Sequence, residues 1–412
     1  MYPLMKKIIA IAALIALFAG CKKEDKTTTV ELKGIAFTEE SITLERGGSK
    51  PLEVTFTPAD ATDKTLAWYS SNPSVVTVAD GVVTAVAAGE AEISAKAGVC
   101  VAYCTVKVVV AATSVTVDKT ELSLALGETS TLKATVLPAD ATDEVVWSSS
   151  DETVATVDKG VVTAVAVGKA DITVTCGKFS ATCPLSVVLP AGAVDLGIVM
   201  KRDDGSTYKL YLAECNLSVN GFATTPEEFG DYFAWGETEV QYSSLSPLAW
   251  KEEYEHHYYW TSYKWCKGTD NTLTKYNTNS EYGEVDNKTS FRDYGYEDDA
   301  ARKILGGGWR TPTEAEWLEL LDKCTWEWTT QNEVKGCKVT GPNGKSVFLP
   351  AAGRVDYDAL RNVQSYGEYL SSTLVKDDPR KFPKLYIDLN GIHKMFTTVR
   401  CHGFSVRPVC GN

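Results

Sequence analysis

Positive charge is scarce in this 412-residue chain: 41 lysines and arginines stand against 54 aspartates and glutamates, a formal net charge of −13. Nucleic-acid binding draws its affinity from cations on phosphate, so this balance argues against a nucleic-acid partner. It argues equally against charge-driven adhesion to an anionic lipid surface. Long hydrophobic runs are also lacking. The conspicuous one, Ile8–Phe18, is too short to cross a bilayer as a helix. Metal-binding spacing is equally sparse. His256 and His257 are adjacent, an arrangement that rarely converges on one ion, and Glu252, Glu253 and Glu255 beside them read as a solvated loop. Asp286, Asn287, Glu297, Asp298 and Asp299 offer oxygens for a structural calcium ion, but no EF-hand spacing is present. No other cofactor is expected.

What the chain does have begins with Lys6 and Lys7, the apolar run, and Ala19-Gly20 before Cys21, the layout of a secretory signal over residues 1–20. Leu17-Phe-Ala-Gly-Cys21 resembles a bacterial lipobox, although Phe18 stands where a small or aliphatic residue is usual. The resemblance implies cleavage before Cys21 and lipidation of that cysteine; two or more acyl chains would anchor the protein stably. Lys22-Lys-Glu-Asp25 resembles the export signal of Bacteroidetes lipoproteins and implies the outer face of the outer membrane. Residues 21–29 then read as a lipidated, unfolded tether extending about 3.5 Å per residue. Loss of Lys6 and Lys7 with the signal takes the net charge from −13 to −15.

Length alone suggests about two to four domains. An internal repeat marks two of them, over residues 30–110 and 111–189. Pro58-Ala-Asp-Ala-Thr-Asp63 returns as Pro138-Ala-Asp-Ala-Thr-Asp143, Gly81-Val-Val-Thr-Ala-Val86 as Gly160-Val-Val-Thr-Ala-Val165, and Trp68 matches Trp147. Short alternating runs between Gly, Asp, Asn and Pro predict an all-β sandwich in each copy, with the tryptophan filling the inter-sheet core. The copies resemble bacterial Ig-like group 2 domains. Neither shows a concentration of exposed aromatics or a ligand motif, so they read as spacers; Pro190 and Gly192 then read as a hinge into a third domain.

That third domain, residues 194–412, is organised around Gly306-Gly-Gly-Trp-Arg-Thr-Pro-Thr-Glu-Ala-Glu-Trp317. Thr311 as cap, Pro312 as first residue and Glu314 closing a Thr-x-x-Glu box predict a helix start, and the three glycines a tight entry. Trp317, Leu320, Leu321 and Cys324 form its core stripe, with Glu314, Glu316, Glu319 and Asp322 toward water. Thr225-Pro-Glu-Glu228 predicts a second helix. Trp309–Trp317, Glu228–Glu237, Tyr263–Cys266, Phe348–Gly353 and Gly403–Pro408 together resemble the FISUMP-type domain, of the C-type-lectin-like fold shared with formylglycine-generating enzymes. The implied fold class is therefore multidomain: two Ig-like sandwiches followed by an α+β lectin-like domain with a loop-built ligand face.

Formylglycine-generating relatives use a pair of cysteines near the C-terminus to bind copper; here Cys401 stands alone in that motif, with Cys410 farther along. Calcium-dependent lectins typically carry Glu-Pro-Asn or Gln-Pro-Asp with Trp-Asn-Asp, and none of these triplets occurs here. The expectation is a domain without enzyme activity. Neighbouring Cys401 and His402 would point to opposite faces of a strand, against a nucleophile–base pair. Cys100 and Cys104 lie about 13 Å apart in one strand, too far to bridge; Cys401 with Cys410 is a candidate disulfide. The segment 241–259 alternates aromatic with polar residues, and Trp250, Tyr254, Tyr258 and Tyr259 are candidate ligand contacts. A second candidate face holds Arg354, Asp356, Tyr357, Arg361, Tyr366 and Tyr369, placed there by the lectin-like resemblance. The resulting expectation is an outer-membrane, lipid-anchored, surface-exposed adhesin recognising a glycan or protein. Alternatives are an assembly component of a surface fibre and a diverged oxidase.

Overall fold

The computed structural model describes residues 29–241, 258–357 and 359–411. The lipidation candidate Cys21 and the ligand candidates Trp250 and Tyr254 lie outside them, as do His256 and His257. The chain forms two compact units, Met1–Ala111 with Asp140–Thr142, and Ala112–Ala139 with Asp143–Asn412.

The first unit is a sandwich. One sheet runs Ser41–Glu45, Cys100–Val109, Gly89–Ala97, Ala67–Ser70, its first pair parallel and the others antiparallel. Facing it are Ser49–Pro51, Val82–Ala85 and Val76–Ala79. Alternation along Gly89–Ala97 and Cys100–Val109 turns Ala91, Ile93, Ala95, Cys104, Val106 and Val108 into the core. Asp80 and Gly81 both have positive φ (50° and 80°), which makes their two-residue hairpin a right-twisting one, and a Cβ on Gly81 would lie 2.8 Å from the Trp68 ring. The repeated Gly-Val-Val motif is thus a turn pressed against a tryptophan. That tryptophan is half-buried at the core's edge, packed on Phe37 with ring centroids 5.8 Å apart. Tyr69 and Tyr103, 71% and 57% exposed, flank Ser94 across three neighbouring strands.

The second unit opens with the second copy, in the same order: Leu122–Ala125, Phe179–Val188, Gly168–Cys176 and Val145–Ser149 against Thr129–Thr131, Val161–Ala164 and Ala155–Asp158. Gly160, at φ 85°, again abuts the tryptophan, here Trp147. No hinge follows at Pro190 and Gly192. Leu124, Leu126, Leu132 and Leu185 of the sandwich share one hydrophobic cluster with Tyr211, Ala213, Trp309 and Cys410. Gly127 sits where a Cβ would be 2.4 Å from the backbone of Gly308, and a Cβ on Gly308 would meet the Leu126 carbonyl at 2.7 Å. The glycines before Trp309 therefore admit the sandwich as well as turning the chain.

The remainder is mixed. Tyr232–Phe233, Phe404–Ser405, Tyr366–Tyr369, Lys381–Asp388 and His393–Val399 form one sheet; Thr325–Gln331, Val334–Thr340 and Ser346–Pro350 a second; Ala193–Lys201, Thr207–Ala213 and Val409–Cys410 a third. Helices α1 (Ala300–Leu305) and α2 (Glu314–Lys323) accompany them. Thr225–Glu228 is a turn rather than a helix: the Thr224 amide donates to the Glu228 carboxylate at 2.8 Å and no helical ladder follows. The α2 cap also differs from expectation. Thr313, not Thr311, is the N-cap, and Glu316, not Glu314, completes the box, because the same Thr-x-x-Glu spacing recurs two residues on. Glu316 consequently leaves solvent. It is buried against Arg310, 2.7 Å from its Nη1, and accepts from the Tyr208 hydroxyl at 2.9 Å. Trp317 and Leu320 are buried as expected, with Leu321 and Cys324 at the margin.

Segments far apart in the chain meet at a buried guanidinium. Arg407 donates to Asn216 Oδ1 at 2.7 Å, to the Phe348 carbonyl at 2.9 Å and to the Ala213 carbonyl at 3.2 Å. The ten cysteines within the described residues are free thiols, which corrects the Cys401–Cys410 pairing: Cys401 packs with Tyr232, Tyr258 and Tyr263, Cys410 with Tyr211 and Trp309. The calcium candidates are engaged with donors instead. Asp286 accepts the amides of Tyr276 (2.6 Å) and Asn277 (2.8 Å), Asp298 accepts from Lys275 (2.5 Å) and Tyr276 (2.8 Å), and Asp299 caps α1 while holding Thr311.

Candidate functional site

The five-stranded sheet of the C-terminal region presents two different faces. Tyr369, Leu385 and Ile387 point beneath α2 into a core with Trp317 and Leu320. Residues of the opposite parity, Tyr366 and Glu368 on one strand, Lys384, Tyr386 and Asp388 on the next, share the other face. Over it lies the hairpin of Arg354–Asp356 and Ala359–Arg361, tied down where Val355 and Gly403 exchange backbone hydrogen bonds of 2.8 and 2.9 Å.

An ion network joins hairpin to sheet. Arg354 holds Asp356 through Nη2 (2.8 Å) and Nε (3.0 Å) and reaches Glu368 through Nη1 (3.3 Å). Arg361 grips the other Asp356 oxygen, and Lys384 pairs with Glu368. Burial pushes the Asp356 carboxyl up, but the hydrogen bonds and charges of Arg361 and Arg354 outweigh it and hold its pKa below the ordinary value. Lys384 goes the other way: burial lowers its pKa despite Glu368. These charges fix the hairpin, and losing Glu368 would leave the buried Lys384 without its ion-pair partner.

Tyr357 stands at the hairpin tip, 51% exposed, in the left-handed region at φ 55°. Such a conformation in an aromatic residue needs support. Here its carbonyl accepts the Tyr258 amide at 3.1 Å, and its ring packs against Tyr259 (centroids 5.4 Å) and His402 (5.1 Å). Tyr366 meets Tyr386 at 5.3 Å, and Tyr386 meets Phe396 at 5.2 Å. The result is two groups of part-exposed aromatic rings beside fixed, paired charges, a surface suited to stacking and hydrogen bonding.

Of the sequence-predicted residues, the structure brings Tyr259, Arg354, Asp356, Tyr357 and Tyr366 to this one face. Tyr258 is corrected: it is fully buried, its hydroxyl donates to the Tyr232 carbonyl, and its ring lies 2.7 Å from where a Cβ on Gly403 would be, so that glycine makes its seat. Tyr369 is corrected too. Three residues from Tyr366, it has the opposite strand parity and its hydroxyl bonds the Pro350 carbonyl at 2.6 Å inside the core. Sequence reasoning missed Glu368, Lys384, Tyr386 and His402. The period of two from Tyr366 to Glu368 and from Lys384 to Tyr386 was the available signal.

Cys401 and His402 do not form a thiolate–imidazole pair. Burial pushes the Cys401 thiol up to about 12 and His402 down to about 4, leaving both neutral near pH 7. Among the described residues, no group of three or more His, Cys, Asp or Glu side chains is arranged to hold a metal ion.

Comparison with known proteins identifies part of the chain. Residues 31–107 and 111–184 match the family model of the bacterial Ig-like domain (group 2), so the chain contains two such domains, as the internal repeat implied. An uncharacterized protein of Clostridium acetobutylicum is 41% identical over 81 residues, 18% of this chain and 20% of that protein. Ice-binding protein 1 of Shewanella frigidimarina is 32% identical over 168 residues, 38% of this chain and 19% of that protein. The matched stretches thus span about a fifth of each of these relatives. Among solved structures, domains 4 and 5 of the S-layer protein SbsC are similar at 24% identity over 39% of this chain and all of that one, with a TM-score of 0.20. The N-terminal four Ig domains of Dscam1 are similar at 14% identity over 39% of this chain and 47% of that one, with a TM-score of 0.28. TM-scores this low do not extend the likeness to the whole chain.

Proposed function

We propose that this chain is a non-catalytic surface protein, lipid-anchored through Cys21, whose lectin-like C-terminal domain binds a glycan or protein ligand at the Tyr357 face. The observation that carries the reading is the hairpin tip itself. An exposed aromatic residue is held in a sterically unfavoured conformation beside a network of five charged side chains, and strain of this kind clusters at functional sites. The rings of Tyr357, Tyr366 and Tyr386 supply flat apolar area at low entropic cost, and Arg354 and Arg361 supply donors. The lipobox-like Leu17–Cys21 segment supports the anchor, and the absence of the cysteine pair around Cys401 supports a domain without oxidase chemistry. A second reading, a component of a surface assembly, draws on Tyr69 and Tyr103 exposed on the first sandwich.

The test is a glycan-array screen of residues 112–412, since the second sandwich shares a core with the rest of its unit. Tyr357→Ala should abolish a specific hit, with a loss of roughly thirtyfold in affinity for a central aromatic contact. A hit unchanged in that variant would remove the site from this face. A blank array followed by capture of a protein in a Tyr357-dependent manner would select the protein ligand.

A further inference from the structure

Elsewhere in the second unit, the turn between Ala193–Lys201 and Thr207–Ala213 faces the start of α2 across a cleft of about 730 Å³. Its lining includes Lys201, Arg202, Arg292 and Arg302, with Tyr208 and Tyr296. In a chain of net charge −13 this gathering of cations is the reverse of the average. None of the four forms an ion pair among the described residues, whereas the fifth cation of the cleft, Arg310, is neutralised by Glu316 in its floor. Arg202 lies over the Tyr208 ring at 4.7 Å and Arg302 over Tyr296 at 5.0 Å, so both guanidiniums are oriented by aromatic faces. Arg302 Nε is buried with no hydrogen-bond partner, while one terminal nitrogen donates to the Gly307 carbonyl.

Two acids temper the charge. Asp204 is turned back on its own loop, accepting from the Ser206 amide (2.9 Å) and hydroxyl (2.7 Å), and Asp203 also lines the cleft. Adjacent carboxylates disfavour a dense polyanion but accept hydrogen bonds from hydroxyl groups. Arg202 and Tyr208 are shared with a neighbouring, more apolar cleft of about 710 Å³ that runs along Leu126, Val167, Leu189 and Val199. Each of these spaces is in the size range of small-ligand sites, the first charged and the second walled by apolar side chains.

We infer that this cleft binds an acidic saccharide, its carboxylate or sulfate taken by Arg202, Arg292 and Arg302, and its hydroxyls by Asp203. The site is separate from the Tyr357 face and does not depend on that face having a ligand.

The experiment is calorimetric titration of the full chain, at low and constant ionic strength, with four probes: a trigalacturonate, a sulfated disaccharide, a neutral oligosaccharide of equal length and inorganic sulfate. Arg202→Gln with Arg292→Gln is the test variant, chosen because neither side chain has an ion pair to lose; thermal melting checks its fold. Both acidic saccharides should bind saturably and the neutral one should not. Each lost charge-assisted contact should weaken binding about tenfold, so the double variant should fall about a hundredfold. Tyr357→Ala should leave these affinities unchanged. The inference is overturned if no probe saturates, if the double variant binds as the wild type does, or if inorganic sulfate binds as tightly as the saccharides. An acidic peptide outcompeting both saccharides would overturn the assignment to a sugar.

Discussion

The two Ig-like domains carry the same turn in different surroundings, and residue 46 against residue 126 shows what that difference means. In each copy a strand ends in a glycine turn: Gly47 and Gly127 have φ of 85° and 82°, and their amides donate to Ala85 and Ala164 at equivalent places. The residue before the glycine is Arg46 in the first copy, its side chain 43% exposed, and Leu126 in the second, 2% exposed in a cluster with Trp309 and Cys410. Around Gly47 there is open space; around Gly127 there is the backbone of Gly308. The fold of a sandwich thus follows from its repeat, while the surroundings of the Arg46 or Leu126 turn follow from what the rest of the chain brings to it.

That contrast can be broken directly. Leu126→Arg places an unpaired guanidinium in the shared cluster and should destabilise the second unit by about 3–5 kcal/mol, whereas Arg46→Leu should change stability by less than about 0.5 kcal/mol. Chemical denaturation of each variant measures both; equal effects would mean that the cluster contributes nothing to stability. Gly127→Ala adds a Cβ into the Gly308 backbone on top of the left-handed penalty, so it should cost about 2–4 kcal/mol, against about 1 kcal/mol for Gly47→Ala, which meets only the penalty.

A smaller effect separates the units by pH. All four histidines lie beyond residue 111, so the first unit should hold its stability between pH 7 and pH 5. In the second, burial depresses His402 to about 4. The unfolded chain then binds a proton below about pH 6.5 that the folded one refuses, and stability falls as pH drops from about 6.5 toward 4. His402→Gln should flatten that slope, as thermal melting at pH 7, 6 and 5 would show.

Much of this was legible in the residues. The repeat revealed both sandwiches, because a β-sandwich writes its core as a period of two and its turns as Asp, Lys and Gly before a Val-Val pair. The helix at Glu314–Lys323 was legible from its stripe, yet its cap slipped by two residues because Thr311 and Thr313 carry the same signal. Among the described aromatic candidates Tyr258 was misplaced for a related reason: nothing local distinguishes it, seated on Gly403 from 145 positions away, from Tyr259, which packs beside Tyr357. Glu316 likewise looked solvent-facing by helical period, until Arg310 and Tyr208 enclosed it.

The sequence alone determined the two sandwiches and the strand and helix periods, since each depends on neighbours within a few residues, and it fixed the acid-rich balance of charge. Tertiary structure decided which tyrosines form a face, which charges pair, and that Gly127 and Gly308 touch. Those outcomes depend on close approach between segments far apart in the chain, where a single missing Cβ or a single buried carboxylate decides the packing.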